Sequence, residues 1–183
     1  MHTPTFHRCL RLALVGALAF VAANAHGEPF VDFGLNATHV RSRLANQPDW
    51  STSTSGGLHF GIGVRRTLSG GNDIGFRVEV DDVDSEMLLA VRALDYRFNR
   101  SDRLAIGVFL GAARLDLATP AYGYYLGCGL QFKDVLAGWD LGLDLRRGDK
   151  IARDNVLPSD PQGGSPDNFY DLTGLGLYLS RRF

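Results

Sequence analysis

Residues with acid–base or ion-binding chemistry recur at every second position in several stretches of the chain. If they share one interior, His59 is a candidate catalytic base or metal ligand, and the whole set is a candidate ion path. Acids and bases occur in comparable number, and buried charges persist only when they are paired and hydrogen-bonded. We therefore predict a structural charge network, with ion conduction as the alternative. Its members are His59, Arg65, Arg77, Glu79, Asp81, Asp95, Arg97, Asp140, Asp144 and Arg146, and Asp32, Asn36, Tyr125 and Gln131 share their parity.

Other reactive residue types lack the spacing that their chemistry requires. No His/Cys pattern resembles a zinc site. Four aspartates between residues 149 and 167 lack the regular spacing of an EF-hand loop. Cys128 lies on an apolar parity and has the character of a small hydrophobe rather than a reactive thiol. We expect neither a metal nor a cofactor.

The elements that position these side chains are strands, because polar and apolar residues alternate with a period of two. Glycines and charges occupy one parity and large apolar residues the other. Eight such segments are expected, each near the 9–11 residues of a tilted membrane strand. They cover residues 30–40, 58–68, 74–81, 87–98, 104–113, 122–132, 139–146 and about 169–183. The pattern predicts an all-β, eight-stranded antiparallel up-and-down barrel with a polar interior. The alternative, a soluble barrel of lipocalin type, would be apolar inside.

The strand predicted over residues 87–98 is the least regular. Residues 87–91 are apolar on both parities, and Arg92 shares the parity of Tyr96. A straight strand would place Arg92 in lipid, at a cost of about 2–4 kcal/mol. We therefore predict a β-bulge between Arg92 and Tyr96 that turns Arg92 inward.

The last stretch of the chain is predicted to be a strand and also an assembly signal. Leu175, Leu177, Leu179 and the terminal Phe183 share one parity. A glycine-rich closing strand that ends in Phe resembles the assembly signal of bacterial outer-membrane β-barrels, although Arg181 stands where an apolar residue is usual. An aromatic girdle at the same end is expected from Phe33, Tyr96, Phe98, Phe132, Trp139 and Phe183.

Residues 1–25 have the features of a cleaved secretory signal. Arg8 and Arg11 precede a short apolar run, and Ala23-Asn24-Ala25 is a cleavage pattern. Residues 26–183 are then one barrel domain with 17 basic and 20 acidic residues, a balance that disfavours nucleic acid as a partner.

Residues 28–183 resemble the small outer-membrane barrel superfamily that includes the OmpA transmembrane domain and the OmpX/Ail group. The resemblance implies a monomer in the outer membrane, in contact with lipid, lipopolysaccharide and the barrel-assembly machinery. Members act in adhesion, serum resistance, envelope integrity or lipid A modification. An eight-stranded lumen is filled by side chains, so an open pore is not expected.

We expect a structural or surface-interaction protein that is not an enzyme. The outer connections, residues 41–57 and 148–168, are the candidate surface for an extracellular ligand. One alternative is a lipid A-modifying enzyme, for which His39 and Ser42 are the nearest base and nucleophile. The other alternative is a narrow ion channel.

Overall fold

The chain forms a closed antiparallel barrel in a computed structural model, which describes residues 27–43, 49–117, 120–153 and 169–183. The predicted signal, residues 1–25, lies outside the described residues. Neighbours in sequence are neighbours in the barrel, so the predicted eight-stranded up-and-down architecture is confirmed. The strands are β1 (Glu28–Arg43), β2 (Ser51–Thr67), β3 (Asp73–Val83), β4 (Glu86–Asn99), β5 (Leu104–Asp116), β6 (Ala121–Leu136), β7 (Trp139–Arg153) and β8 (Phe169–Arg182).

The first and last strands close the barrel. They pair in continuous antiparallel register from Phe30↔Arg182 to Arg43↔Phe169. Alternate side chains of a strand point to opposite faces, so this register places each strand's polar parity inside.

The two ends of the barrel differ in their connections. The termini end carries the beginning of β1, the end of β8 and the turns at 68–72, 100–103 and 137–138, and the loop end carries the other four connections. The connection between β3 and β4 is a two-residue turn, Asp84–Ser85, in which both residues have positive φ (57° and 67°), as in the type I′ turn of a tight hairpin.

Several strands are longer than the sequence pattern predicts. They span 11 to 17 residues, where 9–11 were expected. Two differences are large: β2 begins at Ser51 rather than near Leu58, and β7 extends to Arg153 rather than ending near Arg146. Residues 51–57 were assigned to a loop because their Ser and Thr side chains give no apolar face, but their backbone pairs with β1.

The outward face is apolar around the barrel. Leu35, Leu58, Leu110 and Leu177 are about half exposed or more, and we call the surface that they share with the other outward apolar residues the belt. No helix in the described ranges is long and apolar enough to cross a membrane.

The predicted bulge in β4 is present. The register between β4 and β5 shifts between Arg92 and Leu94, and that between β3 and β4 shifts between Gly75 and Arg77. The extra residue lets Arg92 and Asp95 both face inward, and each is 1% exposed or less. The bulge thus removes an arginine from the belt.

Candidate functional site

The barrel interior holds a network of paired charges, which we call the charge ladder. Among the described residues, five arginines and six acids are buried, and one of the acids, Asp73, pairs with Arg182 at the termini end (2.6 Å). The other five acids balance the five arginines. The ladder consists of Asp32, Arg65, Arg77, Glu79, Asp81, Arg92, Asp95, Arg97, Asp144 and Arg146.

Arg92 joins β4 to the far side of the lumen. Its Nη2 lies 2.9 Å from Glu79 Oε2 on β3 and 2.7 Å from Asp144 Oδ2 on β7. The guanidinium carbon lies 3.6 Å from the centroid of the Phe109 ring, a cation–π contact in a dry setting. Because both acids are almost fully buried, this arginine neutralises charges that water cannot reach.

Arg77 links the strands near the barrel closure. Its Nη1 lies 3.0 Å from Asp32 on β1, and its Nη2 lies 3.2 Å from Asp95 on β4. Asp95 also accepts a hydrogen bond from Arg65 at 3.2 Å and lies 3.5 Å from Arg97 Nε. Three arginines therefore converge on Asp95.

The end of the ladder nearer the loop end is built on Asp81. His59 Nδ1 lies 2.7 Å from Asp81 Oδ1, and Arg146 reaches both carboxylate oxygens at 2.9 and 2.7 Å. The amide of Asn36 donates to the same carboxylate at 3.2 Å. His59 is 3% exposed, so the structure places it as a hydrogen-bonded interior residue between an acid and an arginine.

Tyr178, on the last strand, links Arg97 and Asp144 of the charge ladder. Its hydroxyl donates to Asp144 at 3.0 Å and accepts from Arg97 Nη2 at 3.3 Å. Arg97 also donates to the side-chain carbonyl of Gln131. Gln131 in turn donates to Asp140, which is only half-buried and accepts a second hydrogen bond from the Asp134 backbone N–H near the end of β6. Asp140 therefore lies at the edge of the network rather than inside it.

An apolar cluster fills the lumen between the ladder and the loop end. It was not anticipated, because a charge-filled interior was expected throughout. The inward parity of β5 gives the sequence signal, since Phe109, Ala113 and Leu115 follow its small residues. The buried members are Val40, Val83, Leu88, Ala90, Phe109, Ala113, Leu115, Ala121, Tyr125, Ile151 and Leu172.

The sequence-predicted network residues all face inward, and Asp140 alone is not fully buried. Sequence reasoning omitted three residues from the network. Arg92 was predicted to turn inward but was not assigned a partner, Asp32 was noted only for its parity, and Tyr178 was not assigned to the interior. Their roles depend on contacts across the lumen, which no local pattern contains.

The predicted base and nucleophile do not meet. His39 and Ser42 are three residues apart on one strand, so they fall on opposite faces of β1. The His39 ring instead contacts Thr54 Oγ1 on β2 at 2.9 Å, on the exposed outward face. The pairing required for a nucleophilic serine is therefore not formed.

The aromatic residues of the predicted girdle face outward near the termini end. Phe33 and Trp139 pack edge to face at 5.2 Å, and Tyr96 packs against Phe98 at 4.7 Å. Arg181, the unexpected residue of the closing strand, lies 5.6 Å from the Trp139 ring centroid and 5.8 Å from that of Phe183. The aromatic rings thus hold this guanidinium at the surface.

The candidate binding connections are only partly visible. Residues 44–48 and 154–168 lie outside the described residues, and the remainder of 41–57 belongs mostly to β1 and β2. Trp50 is exposed, and the Arg41 guanidinium lies 4.8 Å from its ring centroid.

No protein-family model and no curated protein matches the chain. Among solved structures, the outer membrane protein AlkL, determined in lipid bilayers, is 18% identical, with 86% of this chain and 90% of AlkL covered and a TM-score of 0.50. Neisserial surface protein A is 15% identical over 85% of this chain and 97% of its own, with a TM-score of 0.49. The Ail protein of Yersinia pestis is 14% identical over 86% and 99%, with a TM-score of 0.38. At this identity the likeness to AlkL shows the fold alone, that of the small outer-membrane barrels.

Proposed function

We propose that the chain is a monomeric integral protein of the outer membrane, with a closed lumen and a surface edge that binds an extended segment of a protein partner. The continuous apolar belt and the girdle support the membrane location, because a barrel surface of this kind is stable only against lipid. In this arrangement the loop end faces outward. The assembly machinery then recognises the closing strand through Leu175, Leu177, Leu179 and Phe183, after a signal has directed export.

The two layers of the lumen support a closed interior. The charge ladder binds its arginines and acids to each other rather than leaving them for passing ions, and the apolar cluster covers its loop-end side. An ion would have to break several buried pairs and then cross an apolar layer. Both steps are costly, which favours a structural interior over a channel.

An unpaired edge of β2 is the observation that carries the binding proposal. On one side, β2 pairs with β1 up to Ser42↔Ser51. On the other side, its described pairing with β3 begins only at His59↔Asp81, and β3 ends at Val83. The segment Ser51–Gly56, about 17 Å of strand, therefore rises above its neighbour with one side unpaired among the described residues.

The free edge of Ser51–Gly56 is accessible for pairing with another strand. The neighbouring turn contacts the side chains of this segment rather than its backbone in the described residues, since Ser53 Oγ donates to the Asp84 carboxylate and Ser55 Oγ accepts from the Asp84 backbone N–H. Exposed edges are usually protected by Lys or Pro, and Ser51–Gly56 contains neither. A second strand added here would gain backbone hydrogen bonds at little steric cost, as in β-augmentation.

Single proline substitutions along residues 51–55 test the proposal. The N–H groups of successive residues point to opposite sides of a strand, so every second proline removes an edge donor without breaking the ladder to β1. Wild-type protein in lipid nanodiscs is used to select peptides of about ten residues from a displayed library. We expect the selected peptides to bind the edge-donor variants about tenfold more weakly, as loss of a backbone hydrogen bond implies.

The control is Asp84→Asn, which alters the same rim but leaves the edge amides in place and should retain peptide binding. The proposal is wrong if selection yields no peptide above empty nanodiscs, or if every proline variant that folds binds as the wild type does.

A further inference from the structure

Four polar side chains come into register on the outward face near the loop end. Arg147 on β7 pairs with Thr173 on β8, which pairs with His39 on β1, which pairs with Thr54 on β2. All four side chains are exposed, and Arg147 is 57% exposed. We call these four residues the outer row.

The outer row marks the boundary of the belt. One step toward the termini end, β7, β8 and β1 carry Leu145, Leu175 and Ala37 in the same register. Leu145 and Leu175 are 53% and 50% exposed. A barrel immersed to the top of this apolar surface therefore holds the outer row at the level of the lipid headgroups.

The spacing of the row fits one phosphate group. Neighbouring strands are about 4.8 Å apart, so Arg147 and His39 stand about 10 Å apart with the Thr173 hydroxyl between them. An arginine side chain is long enough to cover half of that gap and present two donors to one phosphate. Arg41, two residues beyond His39 on the same face, adds a second guanidinium from the side away from the belt.

The charge of these arginines remains available. Arg147 lies 3.9 Å from Asp149, and an ion pair that is this exposed and this long contributes little interaction free energy. The Arg41 guanidinium carbon lies 4.8 Å from the Trp50 ring centroid, a cation–π contact that does not neutralise the charge of the arginine. The neighbouring acids, Asp149 and Asp171, lie one step farther from the belt than the outer row, at the height of Arg41, which pairs in register with Asp171. A phosphate approaching from the membrane side therefore meets Arg147 and His39 before either acid.

We infer that the outer row, with Arg41, binds a phosphate of lipopolysaccharide, whose acyl chains then lie along the belt below. The inference rests on the proposed membrane location, in which the loop end faces the leaflet that carries this glycolipid. The site differs from the β2 edge, because its basic residues lie on the outward face of β7 and β1 at headgroup height. The residue that it shares with Ser51–Gly56 is Thr54, which contributes its side chain rather than its backbone edge.

Binding of lipid A to the detergent-refolded protein, measured by native mass spectrometry, tests the inference. Arg147→Gln and Arg41→Gln are each expected to weaken lipid A binding about tenfold, since each removes charge-assisted hydrogen bonds. Arg114→Gln is the matched control, because Arg114 is an outward arginine of the same end on β5 that is already paired with Asp116 at 2.6 Å. The control should bind lipid A as the wild type does.

Enzymatically dephosphorylated lipid A and phosphatidylglycerol identify the ligand group. Dephosphorylated lipid A should bind the wild type more weakly than lipid A does and should not distinguish Arg147→Gln from Arg114→Gln. Phosphatidylglycerol, whose phosphodiester carries a single charge, should also bind the wild type more weakly than lipid A does. Equal binding of lipid A to these two variants, or a preference for phosphatidylglycerol, would overturn the inference. The outcomes are separated by comparing the gel migration of each refolded sample with and without heating. A sample that shifts on heating, as a closed barrel does, but shows no preference for phosphate overturns this inference alone. A water-soluble product that does not shift overturns the membrane location itself.

Discussion

Replacement of Arg92 by methionine is the sharpest test of the charge ladder. The change removes contacts of 2.9 and 2.7 Å to two acids that are 0% and 4% exposed, and methionine retains apolar contact with Phe109. Among the described residues, Arg77 is the other arginine within 4 Å of both acids, at 3.8 Å from Glu79 and 3.9 Å from Asp144. One negative charge is then left in the lumen without a partner.

The magnitude follows from this uncompensated charge. Removing one partner of a buried pair costs about 3–5 kcal/mol of unfolding free energy. We expect a single cost of this size rather than two, because one acid can bind a proton once the arginine is gone. The second substitution Glu79→Gln returns the lumen to equal numbers of acids and arginines. The double variant should therefore recover about 2 kcal/mol or more of the loss, although each residue alone is stabilising.

Urea unfolding in lipid vesicles, followed by tryptophan fluorescence, measures these free energies. Arg114→Met is the control, because its ion pair with Asp116 is about one-fifth exposed and should contribute less than about 1 kcal/mol. A loss in Arg92→Met no larger than in Arg114→Met, or no recovery in the double variant, would refute the ladder as a set of mutually dependent charges.

Two further outcomes follow from the interior. In Gly142→Ala the new methyl group would stand 2.3 Å from the Tyr178 ring, so the same unfolding assay should show a loss of about 1–3 kcal/mol. The control Gly70→Ala has nothing within 4 Å of the new methyl group and should change the free energy of unfolding by less than about 0.5 kcal/mol. Equal effects of the two substitutions would contradict the packing of Tyr178 against Gly142. The mature protein should be silent in planar bilayers, and conductance steps that change with Asp144→Asn would instead favour the ion channel.

The sequence predicted which residues face outward and which face the lumen, because apolar residues at every second position of a strand indicate the face that contacts lipid. Even the β4 bulge was predictable, since an arginine at mid-height in lipid is costly enough to require a change of register. The beginning of β2 was not predictable in the same way. Ser51–Gly56 stands above the belt, where lipid no longer imposes an apolar face, so a strand there has the composition of a loop.

The sequence also did not predict which side chains contact each other across the lumen. Arg92 contacts residues from β3 and β7, and which strands face each other across a closed barrel depends on its stagger, which single-strand patterns do not record. The apolar cluster was missed for a related reason. Phe109 and Ile151 share the inward parity with charged residues elsewhere, and only their height along the barrel separates the two layers.

The position of Tyr178 bears on how the barrel is made and how long it lasts. This side chain belongs to the final strand, yet it contacts Arg97 on β4 and Asp144 on β7, and its ring centroid lies 5.3 Å from that of His59 on β2. During biogenesis these groups lack their common neighbour until the final strand is inserted. Any lateral parting of β1 from β8 would later have to withdraw the same phenol from the middle of the lumen. We therefore expect Tyr178 to slow the opening of the seam between β1 and β8, because opening would break its hydrogen bond with Arg97 on β4.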